Sequence, residues 1–388
     1  YLMKILWLIN MNLYGILFTK EYLEFMKVLS IIASKSITFN RFLLEASDSL
    51  SKEFNVVLCC RDSFNINRLD NLKKEEIDFP NNLSSFFNLK KTFHFIFQIY
   101  KLQKKSDLIY IHTPLASHLV RLVKLFTFSG VKIVYHIHGL RYIPGKWGIR
   151  EIIFRIIEYI LSFKTDKFIV INEADYFSLI KFVPKRKIFL IKGVGVNLSS
   201  KYKIKEISKS NKVFVVGVIA AFKKEKGYEE LIKIAKICQK NPNITFRVFG
   251  YGNSRWILRL IKKEKLKNID IMGFVKNIED EIDKFNLFML PSHREGLNVS
   301  IQECLSRGIP VLTTKARGCK DLIIEGYNGY LYDINDIQRA SKRILEFTEM
   351  SNNKYKKICV NSFNYANNFL SREKKTKEIL NVFKEYYA

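Results

Sequence analysis

Two glutamates, Glu295 and Glu303, are separated by seven residues within PSHREGLNVSIQECLSRGIPVLTT. An apolar run, LFML, precedes the first, and a segment of helical period, VSIQECLSRG, carries the second. This spacing sets Glu295 at the edge of a loop and Glu303 about one turn into the following helix, on the same side. Gly296 lets the backbone turn tightly. Leu297 and Asn298 lead into the helix N-terminus, where free N–H groups favour an anion such as a diphosphate. A carboxylate at position 303 can accept hydrogen bonds from ribose hydroxyls, and one at position 295 would face a sugar. The competing reading is an ordinary strand–turn–helix with solvated glutamates, because short motifs recur by chance.

The elements that must position this pair repeat along the chain. MKVLSII, NVVLCC, DLIYIHT, VKIVYHIHG, KFIVIN and KIFLIKG are short, apolar and rich in β-branched residues, the pattern of parallel strands buried on both faces. Between them FNRFLLEASDSLSKE, FHFIFQIYKLQKK, LASHLVRLVKLFTF and IREIIFRIIEYILSF carry apolar positions at helical spacing. The alternation predicts a doubly wound α/β unit. Residues 193–212, Gly-rich and then polar and basic, break it and read as a linker. It then restarts with KVFVVGVIA, ITFRVFGYG, IDIMGFV, LFMLPSH, PVLTTKA and GYLYD. Ligands of open α/β sheets sit beyond the carboxyl ends of the strands, so two such units predict a central cleft lined by loops of both. FNYANNFLSREKKTKEILNVFKEYY reads as one C-terminal helix that packs back on the first unit.

The Glu295–Glu303 segment resembles the E-x7-E signature of the family 4 retaining glycosyltransferases. GIPVLTTKARGCKDLIIEGYNGYLY is similar to the continuation of that signature. Cys304 replaces a usual Ala, and Asn298 a usual Pro or Gly. VVGVIAAFKKEKGYEELIKIAK resembles the family segment in which a basic pair grips the donor diphosphate. Gly217, Lys226 and Gly227 match it. Ala221 stands in place of the Arg, and Ala can supply neither the Arg fork nor a point charge. Lys223 or Lys224 would supply charge from the same loop. VYHIHGLRYIPGKWG resembles the acceptor-side loop, where His138 would face the sugar and Gly139 would free the backbone for close approach. His136 lies deeper on the same strand face and reads as structural, as does Arg121. The resemblance runs from about Met26 to the C-terminus. It implies the GT-B fold, two Rossmann-like domains facing a cleft: residues 26–200 on the acceptor side, a linker at 201–212, a nucleotide-sugar-binding domain at 213–365 and a terminal helix at 366–388. It further implies a UDP-sugar donor and retention of anomeric configuration.

Composition bounds the partners. At 388 residues the chain exceeds what one core fills. The net charge of +28 suits an anionic bilayer, a phosphorylated substrate or nucleic acid, or is the habit of a lysine-rich proteome. No zinc-finger spacing, RNA-recognition signature or zipper supports nucleic acid. Six cysteines without a Cys-x-x-Cys pair read as reduced, buried thiols of a cytoplasmic protein. Residues 1–25 are too short and too polar for a confident span and have no cleavage site. They read as an extension before a start at Met26, or as an interfacial anchor. Residues 86–105 hold five lysines, no acid and many aromatics, which fits either a peripheral inner-membrane contact or a helix docked on its own sheet.

No two aspartates stand two residues apart, so the metal–diphosphate motif of the other large glycosyltransferase fold is absent and no metal cofactor is expected. Lys226, its lysine neighbours and the helix N-terminus would carry the leaving diphosphate. Glu295 and His138 are the candidate catalytic residues. Lys226, Glu303, Gly296, Leu297, Asn298, Gly217 and Lys223 are the candidate donor-binding residues. By resemblance, the acceptor class is a polyprenyl-diphosphate-linked or other membrane-bound saccharide. The rivals are another GT-B chemistry on soluble substrates and a catalytically weakened nucleotide-sugar- or lipid-binding partner.

Overall fold

The computed structural model of the chain describes residues 27–80, 89–198 and 213–387. The expected extension at 1–25, the start at Met26, residues 86–88 of the aromatic segment and the linker at 201–212 lie outside them. The chain divides into two compact units. One holds residues up to 170, 175–190 and 376–388; the other holds 171–174 and 191–375. The division falls after Leu190 rather than at residue 200, because Gly193 to Leu198 already belong to the second unit. Val196 bridges Ser371 there. Gly193 and Gly195, at φ +77° and +75°, leave no room for a Cβ beside Leu297 and the Arg372 backbone.

The first unit is built on a seven-stranded sheet in the order β3-β2-β1-β4-β5-β6-β7. The strands are β1 Val28–Ile32, β2 Asn55–Cys60, β3 Lys73–Glu76, β4 Leu108–Ile111, β5 Lys132–Ile137, β6 Lys167–Val170 and β7 Ile188–Leu190. The second unit has six strands in the order β10-β9-β8-β11-β12-β13. These are β8 Phe214–Ile219, β9 Ile244–Phe249, β10 Ile269–Gly273, β11 Leu287–Leu290, β12 Val311–Thr314 and β13 Gly329–Tyr332. Every pairing is parallel. In both sheets the first strand lies inside and the order reverses beside it, between β1 and β4 and between β8 and β11. Such a switch point leaves a crevice at the carboxyl ends of the strands. Both sheets have apolar strand cores, with β4 and β11 buried along their whole length.

Three elements depart from the sequence pattern. β3 reads KKEE and has no apolar face, yet it pairs with Val57–Cys60 as the edge strand, where solvent takes its side chains. The terminal segment forms two helices, Asn352–Phe369 and Arg372–Phe383, because the chain breaks at Leu370–Ser371 to bridge Val196. The second of them ends in the first unit, where Phe383 lies edge-on to Tyr110 and Phe54. The helix Ile149–Ser162 is turned outward: Ile149, Ile152, Ile153, Ile156 and Ile160 are exposed, while Glu158 is buried.

Candidate functional site

In the second unit the loops after β8, β11 and β12 converge at the switch point. Lys226 ends a single 3-10 turn, Lys224–Lys226, after β8. Gly227 follows at φ +74°, and a Cβ there would lie 1.9 Å from the Pro291 carbonyl oxygen, so only glycine lets the β8 loop close against the β11 loop. Lys226 Nζ then donates to both oxygens of Glu295 at 2.8 Å. Ser292 Oγ donates to Glu295 Oε1 at 2.7 Å. The β12 loop closes the third side. Glu295 N–H donates to the Arg317 carbonyl at 3.1 Å, and Arg317 Nε donates back to the Glu295 carbonyl at 3.3 Å. The Lys226 and Glu295 side chains keep 19% and 10% of their surface. A charged pair at a loop edge is thus fixed in place yet still reachable.

Gly296 is not left-handed; the positive-φ glycines of these loops are Gly227 and Gly318. The turn is shaped by close approach instead, since a Cβ on Gly318 would lie 2.1 Å from the Gly296 carbonyl oxygen. Asn172 Nδ2 donates to that same oxygen at 3.2 Å. Leu297 is buried. Asn298, the departure from the family pattern, is the N-cap of the helix Val299–Ser306, and its Oδ1 accepts from Ile301 N–H at 2.9 Å. No acid occupies the first turn of that helix, and Glu303 lies half-buried within it. Gly217 sits in the middle of β8, where the Phe285 ring fills the space of a Cβ at 2.1 Å, so its smallness serves packing. Lys223 and Lys224 are exposed on the β8 loop, and Ala221 is half-buried beside them. Arg317 and Ser292, which the sequence reading passed over, complete the loop cluster. Their signal was position alone, each following a strand at the switch point.

The first unit has its own cluster. His112 follows β4, His136 lies on β5 and His138 follows it, with Gly139 at φ +134°. Alternation along parallel strands puts all three rings on one face. His112 Nδ1 and His138 Nε2 are 3.0 Å apart, and Tyr110 Oη lies 2.7 Å from His136 Nδ1. Burial lowers all three imidazole pKa values, His138 to about 4, so the rings are neutral at pH 7. Thr113, between His112 and the first helical proline, is held at φ +66°, a strained conformation for a β-branched residue. Its hydroxyl is 2.8 Å from Ser34 Oγ, in the loop after β1. Arg121 is fully buried beneath this sheet and forks onto Glu158, as its structural reading required.

Residues 40–198 match the family model described as Glycosyltransferase Family 4, and residues 200–363 match Glycosyl transferases group 1. The chain is a family 4 glycosyltransferase of GT-B fold. This glycosyltransferase is 24% identical over 330 residues to the capsular polysaccharide biosynthesis glycosyltransferase CapM of Staphylococcus aureus, covering 81% of this chain and 85% of that one. It is 25% identical over 342 residues to the UDP-Gal:alpha-D-GlcNAc-diphosphoundecaprenol alpha-1,3-galactosyltransferase of Escherichia coli, covering 81% and 86%. Its fold is that of Anabaena Alr3699/HepE, solved with UDP and glucose: TM-score 0.74, 17% identity, 93% of this chain and 100% of that one.

Proposed function

We propose that this glycosyltransferase moves a sugar from a UDP-sugar onto a polyprenyl-diphosphate-linked saccharide, with retention of configuration and without a metal, in the assembly of a cell-surface polysaccharide. The observation that carries this reading is the Lys226–Glu295 pair at the β8/β11 switch point. A lysine ammonium is a point charge on a flexible stem, so it can leave one anion for another. An arriving diphosphate takes Lys226, and Glu295 is released to the sugar hydroxyls. Glu303 takes the ribose. The amides at the start of Val299–Ser306 face the phosphates, with Gly296, Leu297 and Asn298 shaping their approach. Lys223, Lys224 and Arg317 add the positive charge that Ala221 does not. On the acceptor side His138, neutral at working pH, donates to a sugar hydroxyl. The positive loops stabilise charge as it develops on the leaving diphosphate, commonly the largest catalytic contribution. The relatives named for capsule synthesis and for a diphosphoundecaprenol acceptor support the acceptor class.

The outward helix of the first unit supports work at the inner face of a membrane. Among the described residues no helix is long and apolar enough to cross one. Yet Ile149, Ile153 and Ile156 project from one helix, and Phe93 and Phe97 from Leu89–Lys105, amid Lys101, Lys104 and Arg155. Isoleucine and phenylalanine beside snorkelling lysines suit an anionic interface. Full-length protein should float with vesicles containing phosphatidylglycerol, and Ile153→Glu with Ile156→Glu should abolish flotation while leaving UDP binding intact. Flotation of that variant would move the contact away from this helix, and failure of the unaltered protein to float would remove the membrane from the reading.

The decisive test measures thermal unfolding with UDP, GDP and ADP, followed by transfer from UDP-sugars to lipid-linked acceptors. At 100 times the dissociation constant a ligand stabilises by about 2.7 kcal/mol. Stabilisation by UDP alone, lost in Lys226→Ala, and product formation are expected. Ala221 favours one second reading, a nucleotide-sugar-binding partner without turnover, for which UDP would stabilise the chain and no sugar would transfer.

A further inference from the structure

The histidine cluster of the first unit has more nitrogen than its own hydrogen bonds use. His112 and His136 have no exposed surface, and the Nε2 atom of each is buried without a partner. Buried polar atoms are ordinarily paired, and two unpaired ones in adjacent rings point to a common occupant. One nitrogen from each of His112, His136 and His138 lies within 4.8 Å of the other two. The hydrogen bonds are consistent with lone pairs on both orphans, His136 Nδ1–H donating to Tyr110 Oη and His112 Nδ1–H to His138 Nε2, and a cation that recruits His138 replaces the second of these bonds at Nε2. A tyrosine hydroxyl bonded to the far nitrogen fixes a ligand imidazole in the manner of an outer-shell partner.

We propose that His112, His136 and His138 form a binding site for one borderline-soft divalent cation, best met by zinc, and that its occupancy restrains sugar transfer. The chemistry of the set selects the class. Neutral imidazoles suit zinc and its neighbours, whereas calcium and magnesium need oxygen, and no carboxylate belongs to the cluster. Three histidines with a fourth position for water is a common zinc environment, with Zn–N at about 2.0–2.1 Å. His138 is the half-buried member at the open end of the strand. A cation that takes its nitrogen removes it from the acceptor. This inhibitory half rests on the proposed role of His138; the binding half does not.

The test uses tag-free, chelator-treated full chain titrated with cobalt(II), which absorbs visibly in a tetrahedral nitrogen site, and then with zinc. One equivalent of cobalt should develop the band and one of zinc should bleach it. His112→Gln and His136→Gln should lose the band, and His94→Gln, an exposed histidine, should keep it. Tyr110→Phe, which retains the ring packed on Phe383, should weaken zinc by about 10- to 100-fold. X-ray absorption at the zinc edge of the unaltered protein should count three imidazoles, which needs no variant to fold. Absence of a band at one equivalent, its survival in both glutamine variants, or fewer than three imidazoles would overturn the site. In the transfer assay, zinc should inhibit the unaltered protein and chelator should restore it. Stoichiometric binding without inhibition would overturn the regulatory half alone, and binding with no transfer under any condition would count against the function rather than the site.

Discussion

Two ion pairs of this chain use the same charges for opposite ends. In the first unit Arg121 donates from both terminal nitrogens to Glu158, at 2.6 and 3.1 Å, and neither residue is exposed. Arg121 also reaches the Ser117 carbonyl and lies 4.4 Å over the Tyr135 ring, while His118 sits 3.3 Å from the same carboxylate. All three guanidinium nitrogens and both carboxylate oxygens are engaged, with neither side chain open to solvent. In the second unit Lys226 holds Glu295 with a compact ammonium at a partly open loop edge. The forked, dry pair ties the helix Pro114–Thr127 to Ile149–Ser162 and has no reason to open. The single-headed, wet pair holds two groups ready for another partner. On the proposed function, fork against point charge and dry against wet separate structural charge from working charge.

The largest effect should come from breaking the dry pair. Arg121→Met leaves Glu158 buried and uncompensated, and should cost the first unit about 3–5 kcal/mol in denaturant unfolding. Adding Glu158→Leu should recover most of that loss, and transfer per folded molecule should not change. Breaking the wet pair should do the reverse. Lys226→Ala is expected to lower kcat/KM by about 100- to 1000-fold, with a change in unfolding free energy of no more than about 1 kcal/mol. Acid sharpens the contrast. Burial pushes the Glu158 carboxyl up, but Arg121 and His118 more than reverse this and hold it at about 2. A depressed carboxylate contributes stability that is full above its unfolded value, near 4.5, and is lost as pH falls toward about 2. Stability should therefore drop more steeply below pH 4.5 in the unaltered protein than in Glu158→Gln, as read by the slope of midpoint against pH. The smallest effect belongs to a single exposed charge: Lys223→Ala should weaken UDP by no more than about fivefold in a binding titration, about 1 kcal/mol. A loss as large as that of Lys226→Ala would move the phosphate grip to Lys223.

The contrast also shows what sequence can reveal. Strands such as NVVLCC and LFML were legible because parallel sheets bury both faces, so the apolar run is itself the signal. β3 was not, since an edge strand written KKEE carries no such run. The helix Ile149–Ser162 has a clear apolar stripe, but periodicity gives a face and not its direction, and this one points outward with Glu158 within. Glu295 and Glu303 were singled out by their spacing across a strand–loop–helix, and Lys226 by the resemblance of its segment to the family's. Arg317 was missed because it reaches Glu295 from another loop, 22 residues on, and Ser292 because nothing in the loop sequence shows that its hydroxyl turns back onto a carboxylate three residues later. The neighbourhood of three histidines was hidden for the same reason, as His112 and His138 stand on different strands.

All six cysteines are buried, and burial raises the thiols of Cys60, Cys238 and Cys319 to about 12 and that of Cys59 further still. Protonated thiols beneath the surface do not react with maleimides at neutral pH. The natural chain should therefore label little with such dyes, and a single cysteine placed at Ile156 should be the main point of attachment. An environment-sensitive fluorophore there would report each arrival at a lipid surface in real time, with no native thiol to remove first.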